Sequence, residues 1–210
     1  MNSFIVEFWS WVFNVLKFVS LFKLIRTVFA RTRKDYAFID VWVLGNFILS
    51  FVALSCLSVP QIRWWEIVIL CYAAVRVFEV LIYQINVLLF DEYRARKVGQ
   101  EYAVSGFRRI VLLLIHNYIE ILFWFALFYR NLAFLFESRH VSLDSFGGSL
   151  YFSLVTMSTL GYGDIVPKDR TGLFLVFMQT LIGIFMALLI LARFISLIPK
   201  PKTLDEFEKR

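Results

Sequence analysis

Residues 151–167 read Tyr151-Phe152-Ser153-Leu154-Val155-Thr156-Met157-Ser158-Thr159-Leu160-Gly161-Tyr162-Gly163-Asp164-Ile165-Val166-Pro167, the most informative run in the chain. At the centre is Thr159-Leu160-Gly161-Tyr162-Gly163. Gly161 and Gly163 can enter positive-φ conformations that other L-residues resist, which turns successive carbonyls the same way. A row of inward carbonyls can replace the hydration shell of a cation, and the Thr159 hydroxyl adds an oxygen at the inner end. Leu160 and Tyr162 are then expected to point backward into surrounding protein and keep the loop open. A Gly-rich surface turn is the plain alternative. The setting argues against it, because the loop lies between two long apolar segments, follows an amphipathic stretch and precedes Asp164.

Composition places that loop in a membrane. Of 210 residues, 60% are hydrophobic and 19% aromatic, and the mean hydropathy is +0.73. Those values exceed an ordinary soluble domain by a wide margin. The net charge is +6, but Lys and Arg cluster at segment ends, as cytoplasmic membrane flanks do, rather than forming a basic face for nucleic acid. Cys56 and Cys71 both lie in apolar segments and read as lipid- or core-facing small residues; a disulfide between unmatched depths is not expected. The N-terminus shows no cleavable signal-peptide pattern.

Five apolar stretches occur, at about 4–29, 40–59, 65–90, 110–135 and 171–198, each near or above the roughly 20 residues needed to span a bilayer. In the first, Glu7, Ser10, Asn14, Lys17, Ser20, Lys23 and Thr27 align on one helical face. Phe4, Phe8, Trp11, Val15, Phe18, Phe22 and Phe29 fall on the other. Such a helix is expected to lie in the membrane interface, with Lys17, Lys23 and Arg26 toward anionic headgroups. A spanning helix is the alternative. The other four read as spans. Basic residues concentrate at 31–34, 94–109 and 200–202, whereas the turn at 58–63 has one Arg flanked by Trp64 and Trp65. The positive-inside rule then puts both termini in the cytoplasm and residues 131–170 outside. The glycine loop enters from the outer side, and irregular backbone at that depth requires protein or a wet cavity around it. Gly-Tyr-Gly occurs once, so a closed ring of such loops has to be built from several chains.

Residues 109–198 resemble the pore of the potassium channel family, with Thr159-Leu160-Gly161-Tyr162-Gly163-Asp164 matching its signature and Leu160 standing where Val is commoner. The resemblance implies an outer helix, a pore helix over 145–157 with Ser145 as cap and Gly147-Gly148 packed closely, a selectivity filter, and an inner helix. It further implies K+ coordination by Thr159, Leu160, Gly161, Tyr162 and Gly163. Tyr151, Phe152, Thr156 and Asp164 are the implied filter supports. Tyr151 and Phe152 stand where Trp-Trp is commoner, and Val155 where some relatives carry a glutamate partner for the aspartate. Asp164 therefore needs another donor, and the Tyr151 hydroxyl is the candidate, against simple packing. Gly183, 22 residues after Gly161, matches the family's gating hinge; close helix packing is the competing reading. Phe185, Leu188, Leu189 and Ala192 are candidates for a hydrophobic gate.

Arg76, Glu79 and Glu120 fall near mid-span. Ionisable groups at that depth cost several kcal/mol and are paired or functional, so Arg76 is expected to pair with Glu79 or Glu120 and tie the accessory helices to the pore. One charge crossing 100 mV yields about 2.3 kcal/mol, too little for steep voltage gating from a lone arginine. His116 lies one turn before Glu120, and two ligands are too few for a metal site.

The expected architecture is an all-α membrane protein with four transmembrane helices, a re-entrant pore helix and filter loop, and an N-terminal interfacial amphipathic helix. Its parts are an interfacial helix and basic linker (1–35), two accessory spans and a cytoplasmic linker (36–108), the pore unit (109–198) and a charged cytoplasmic tail (199–210). The expected function is that of a homotetrameric, K+-selective channel subunit of the plasma membrane, needing no cofactor beyond the permeant ion. Expected contacts are with its own copies, membrane lipids and a gating partner of unknown kind, but not nucleic acid. Alternatives are a weakly selective cation channel or a non-conducting accessory or signalling subunit. No catalytic grouping or phosphate-binding loop supports an enzyme.

Overall fold

The structure, a computed structural model, describes residues 4–16, 36–56, 64–87 and 107–195. The basic linker, the 58–63 turn, the cytoplasmic linker and the C-terminal tail lie outside the described residues. In chain order the elements are α1 (Phe4–Leu16), α2 (Tyr36–Cys56), α3 (Trp64–Ile85), α4 (Phe107–Asn131), a 3-10 turn (Ala133–Leu135), β1 (Phe136–Ser138), α5 (Phe146–Met157), β2 (Ile165–Pro167) and α6 (Arg170–Ile195). The fold is thus mostly helical, as expected. The two short strands are its only sheet among the described residues, pairing antiparallel with Glu137 opposite Val166.

Three helices are long and apolar enough to cross a membrane: Ala37–Cys56, Val111–Asn131 and Arg170–Ile195. α3 has 22 residues but carries Glu66, Arg76 and Glu79, and it is not among the three. The amphipathic reading of the first stretch meets a helix over Phe4–Leu16, with Phe4 stacked on Phe8 and both Phe4 and Trp11 exposed. Its continuation to residue 29, with Lys17, Lys23 and Arg26, lies outside the described residues.

α4 is the centre. Within its span 56% of the residues are buried, against 28% for the spans of α2 and α6, and it packs against α2, α3, α5 and α6 alike. Ile121, Leu122, Trp124, Phe125, Ala126, Leu127 and Tyr129 form a nearly continuous buried run, so the helix is apolar around its circumference rather than along one stripe. Beside the short strands, Tyr129, Phe136 and Phe152 make a three-ring cluster with centroids 4.6–5.5 Å apart and edge-to-face angles, the geometry that aromatic quadrupoles favour. α6, by contrast, leaves Leu173, Phe174, Phe177, Leu181 and Leu188 exposed. So long an apolar face fits lipid or another chain, not water.

The buried charges pair both ways that the sequence allowed. Arg76 donates from Nε and Nη2 to the two carboxylate oxygens of Glu120 at 2.8 and 3.1 Å, and from Nη1 to Glu79 at 2.8 Å. Trp124 Nε1 adds a donor to Glu120 at 3.1 Å, and the guanidinium lies over the Trp42 ring at 5.7 Å. All three charged side chains are buried. Two further arginines tie α4 at its ends. Arg109 grips Asp40 of α2 at 2.6 Å. Arg130 donates to the Leu54 carbonyl near the end of α2 at 2.5 Å and to the Asp144 carbonyl at 2.8 Å. His116 Nδ1 lies 2.7 Å from the Leu112 carbonyl and its ring stands edge-on to Phe47.

Arg76→Leu is expected to cost about 3–5 kcal/mol, because it leaves buried carboxylates without their cation. Arg76→Leu combined with Glu79→Gln and Glu120→Gln is expected to recover most of that loss. Thermal unfolding of the purified protein in detergent measures both; a triple variant as unstable as the single one would contradict the pairing argument.

Candidate functional site: the 158–164 loop

α5 begins where the sequence suggested. Ser145 is its N-cap, and the Ser145 hydroxyl accepts from the Gly148 amide at 3.0 Å. Of the two glycines expected to pack closely, only Gly148 does so, since a Cβ there would collide with the Ser142 carbonyl. Gly147 has open space around it.

The end of α5 builds the loop. Ser158 is the C-cap; the Thr159 amide returns to the Thr156 carbonyl at 3.1 Å and the Leu160 amide to Val155 at 3.0 Å. Those two reverse bonds make a Schellman cap, whose C′ residue must be left-handed. Thr159 holds that place with φ +61°. Gly161 and Gly163 follow at +58° and +74°, while Leu160 and Tyr162 between them do not take positive φ. A backbone that alternates in handedness can turn its successive carbonyls to one side. The glycines were legible in the sequence. Thr159 was not, because this cap position normally announces itself with Gly or Asn.

Asp164 closes the other end. The Tyr151 hydroxyl donates to its carboxylate at 2.8 Å, so the candidate donor is in place and simple packing is not its whole role. That hydrogen bond is the main cause that raises the Tyr151 pKa above its ordinary value, which keeps the phenol a donor. The Asp164 carbonyl accepts from the Arg139 amide at 3.2 Å, anchoring the loop exit to the strand pair. Phe152 sits in the three-ring cluster, and Thr156 is buried beside the Tyr129 hydroxyl, which approaches it without closing a well-formed hydrogen bond. The loop therefore hangs between a helix cap and a carboxylate clamp.

Leu160 and Tyr162 do not find backing protein: they are 59% and 68% exposed, because this chain alone offers no wall behind the loop. A hollow of about 250 Å³ lies instead between the loop, Phe152 and Val155 of α5, and Val176 and Thr180 of α6. Among the gate candidates, Leu189 is turned into the chain's own core, whereas Leu188 and Ala192 are exposed. Gly183 is buried, and a Cβ there would strike the Met157 carbonyl and come within 3.0 Å of its Cγ. Close approach to α5 accounts for this glycine, and α6 runs unbroken through it.

Sequence reasoning missed Gln179, which is fully buried and bonded to Ser153 at 2.7 and 3.0 Å. A polar residue within an apolar span was the available signal.

Residues 117–200 match the family model described as ion channel, which is less than half of the chain. No curated protein and no solved structure matches it. The matched residues begin in α4 and run through α5, the loop and α6. Over those residues the chain is similar to the ion channel family, which supports a pore-loop channel of the potassium-channel type.

Proposed function

We propose that the chain is the subunit of a K+-selective channel, four copies of which surround one axis and conduct passively. The observation that carries the reading is the alternation of handedness at Thr159, Gly161 and Gly163 in a loop held at both ends. In this reading the carbonyls of Thr159, Leu160, Gly161 and Tyr162, with the Thr159 hydroxyl, replace the water around K+. The C-terminus of α5 turns the negative end of its helix dipole toward the ion. Neighbouring copies supply the wall that Leu160 and Tyr162 lack, and the exposed face of α6 packs against other copies or lines the conduit.

α4, α5, the loop and α6 form the pore unit (109–198), with the loop re-entering from outside. α2 and α3 are accessory spans; α3 crosses as the fourth helix because its charges are paired rather than exposed to lipid. The protein lies in the plasma membrane with both termini cytoplasmic, α1 rests on the inner leaflet among anionic lipids, and no cofactor takes part.

Liposomes holding the purified chain and loaded with K+ are expected to take up tracer rubidium, and barium is expected to block that uptake. Gly161→Ala is expected to abolish it while the protein still assembles. No neighbouring atom obstructs a Cβ there, but the left-handed backbone opposes one by about 1–2 kcal/mol in each subunit. Absence of rubidium uptake by the unmodified protein would refute the reading, and normal uptake by Gly161→Ala would refute the loop's role.

The outer mouth yields a pharmacological test. A ring four positions after the loop tyrosine can hold a quaternary ammonium by cation–π contact, and Val166 stands there, half-exposed on β2. External tetraethylammonium is expected to block weakly, and Val166→Tyr to strengthen the block several-fold. Tight block of the unmodified channel would contradict the assignment.

A further inference from the structure

α5 hides a polar stripe. Ser149, Ser153 and Thr156, on one helical face, are all buried. Ser153 is bonded to two different helices. Its Oγ donates to the Leu122 carbonyl of α4 at 2.8 Å and accepts from Gln179 Nε2 of α6 at 2.7 Å; the same amide nitrogen donates to the Ser153 carbonyl at 3.0 Å. Gln179 and Ser153 are fully enclosed, yet Gln179 Oε1 has no partner. An enclosed acceptor left unsatisfied is costly, so an apolar side chain of the same length would fill this place with less penalty. What the amide adds is direction.

The next helical turn repeats the contact in another form. Gly183 follows Gln179 by four residues, as Met157 follows Ser153, and the backbone of α6 at Gly183 lies against the Met157 carbonyl. α6 thus holds α5 by a directional bond and then by a steric stop, immediately before the Ser158 cap.

We propose that Gln179 is a positioning residue for the loop. Through Ser153 it fixes the rotation and height of α5, with Gly183 as the stop, and so sets where the Thr159–Gly163 carbonyls stand. The effect on permeation rests on the function proposed above; the effect on loop order does not.

Hydrogen exchange followed by mass spectrometry tests it, on the full chain in lipid nanodiscs, for the unmodified protein, Gln179→Met, Ser153→Ala and the double variant. Amides of residues 158–163 are expected to exchange at least about threefold faster in each single variant, with α2 and α3 unchanged. The double variant is expected to be no faster than the faster single one, since both remove the same linkage. In a parallel flux measurement, Gln179→Met is expected to lower the K+ over Na+ preference at least about threefold. Unchanged loop exchange, or faster exchange spread evenly over α4 and α6, would overturn the proposal, and Ser153→Ala decides if Gln179→Met does not fold. Failure of the unmodified protein to conduct would remove the proposed function and leave the exchange result to decide this one.

Discussion

A charge that cannot be hydrated has to be paired, and Arg76 is paired twice, in two hydrogen bonds to Glu120 and one to Glu79. That cluster sits where α3 meets α4, and it decides what the accessory helices can do. Sliding α3 along α4 would separate Arg76 from Glu120 in a low-dielectric setting, at a cost of several kcal/mol. The Asp40–Arg109 bridge and the Arg130–Leu54 contact brace α2 against the two ends of α4. α2 and α3 are therefore built as a brace on α4 rather than as a mobile lever.

The same helix hands this order inward. Arg130 also holds the Asp144 carbonyl, one residue before the Ser145 cap of α5, and the Leu122 carbonyl accepts from Ser153. α5 is thus fixed at its start by α4, along its length by α4 and α6, and at its end by Gly183 against Met157. The loop inherits that rigidity through its helix cap and the Tyr151–Asp164 bond. What the single chain does not supply is a wall behind Leu160 and Tyr162, a gap that the proposed fourfold assembly would fill.

Much of this was legible because the residues concerned have few other uses. Paired glycines flanking a tyrosine mark a left-handed backbone, Ser145 before a short apolar run marks a helix start, and a mid-span arginine demands a partner. The Thr159 conformation was hidden because threonine is a poor marker of a left-handed cap. Gln179, Arg130 and Asp40 were hidden for another reason: their partners lie 14–76 residues away, and only the packing of α4, and of α6 against α5, brings them together. Gly183 shows a third limit. A glycine in a helix announces that something is unusual there, but not whether the helix bends or a neighbour comes close.

In the proposed function the Thr159–Gly163 backbone discriminates between monovalent cations by replacing their water. The reversal potential of single channels in a planar bilayer, with K+ on one side and an equal concentration of Na+ on the other, tests it most directly. A reversal far from zero, displaced toward the potassium equilibrium potential, is expected. A reversal near zero would contradict it.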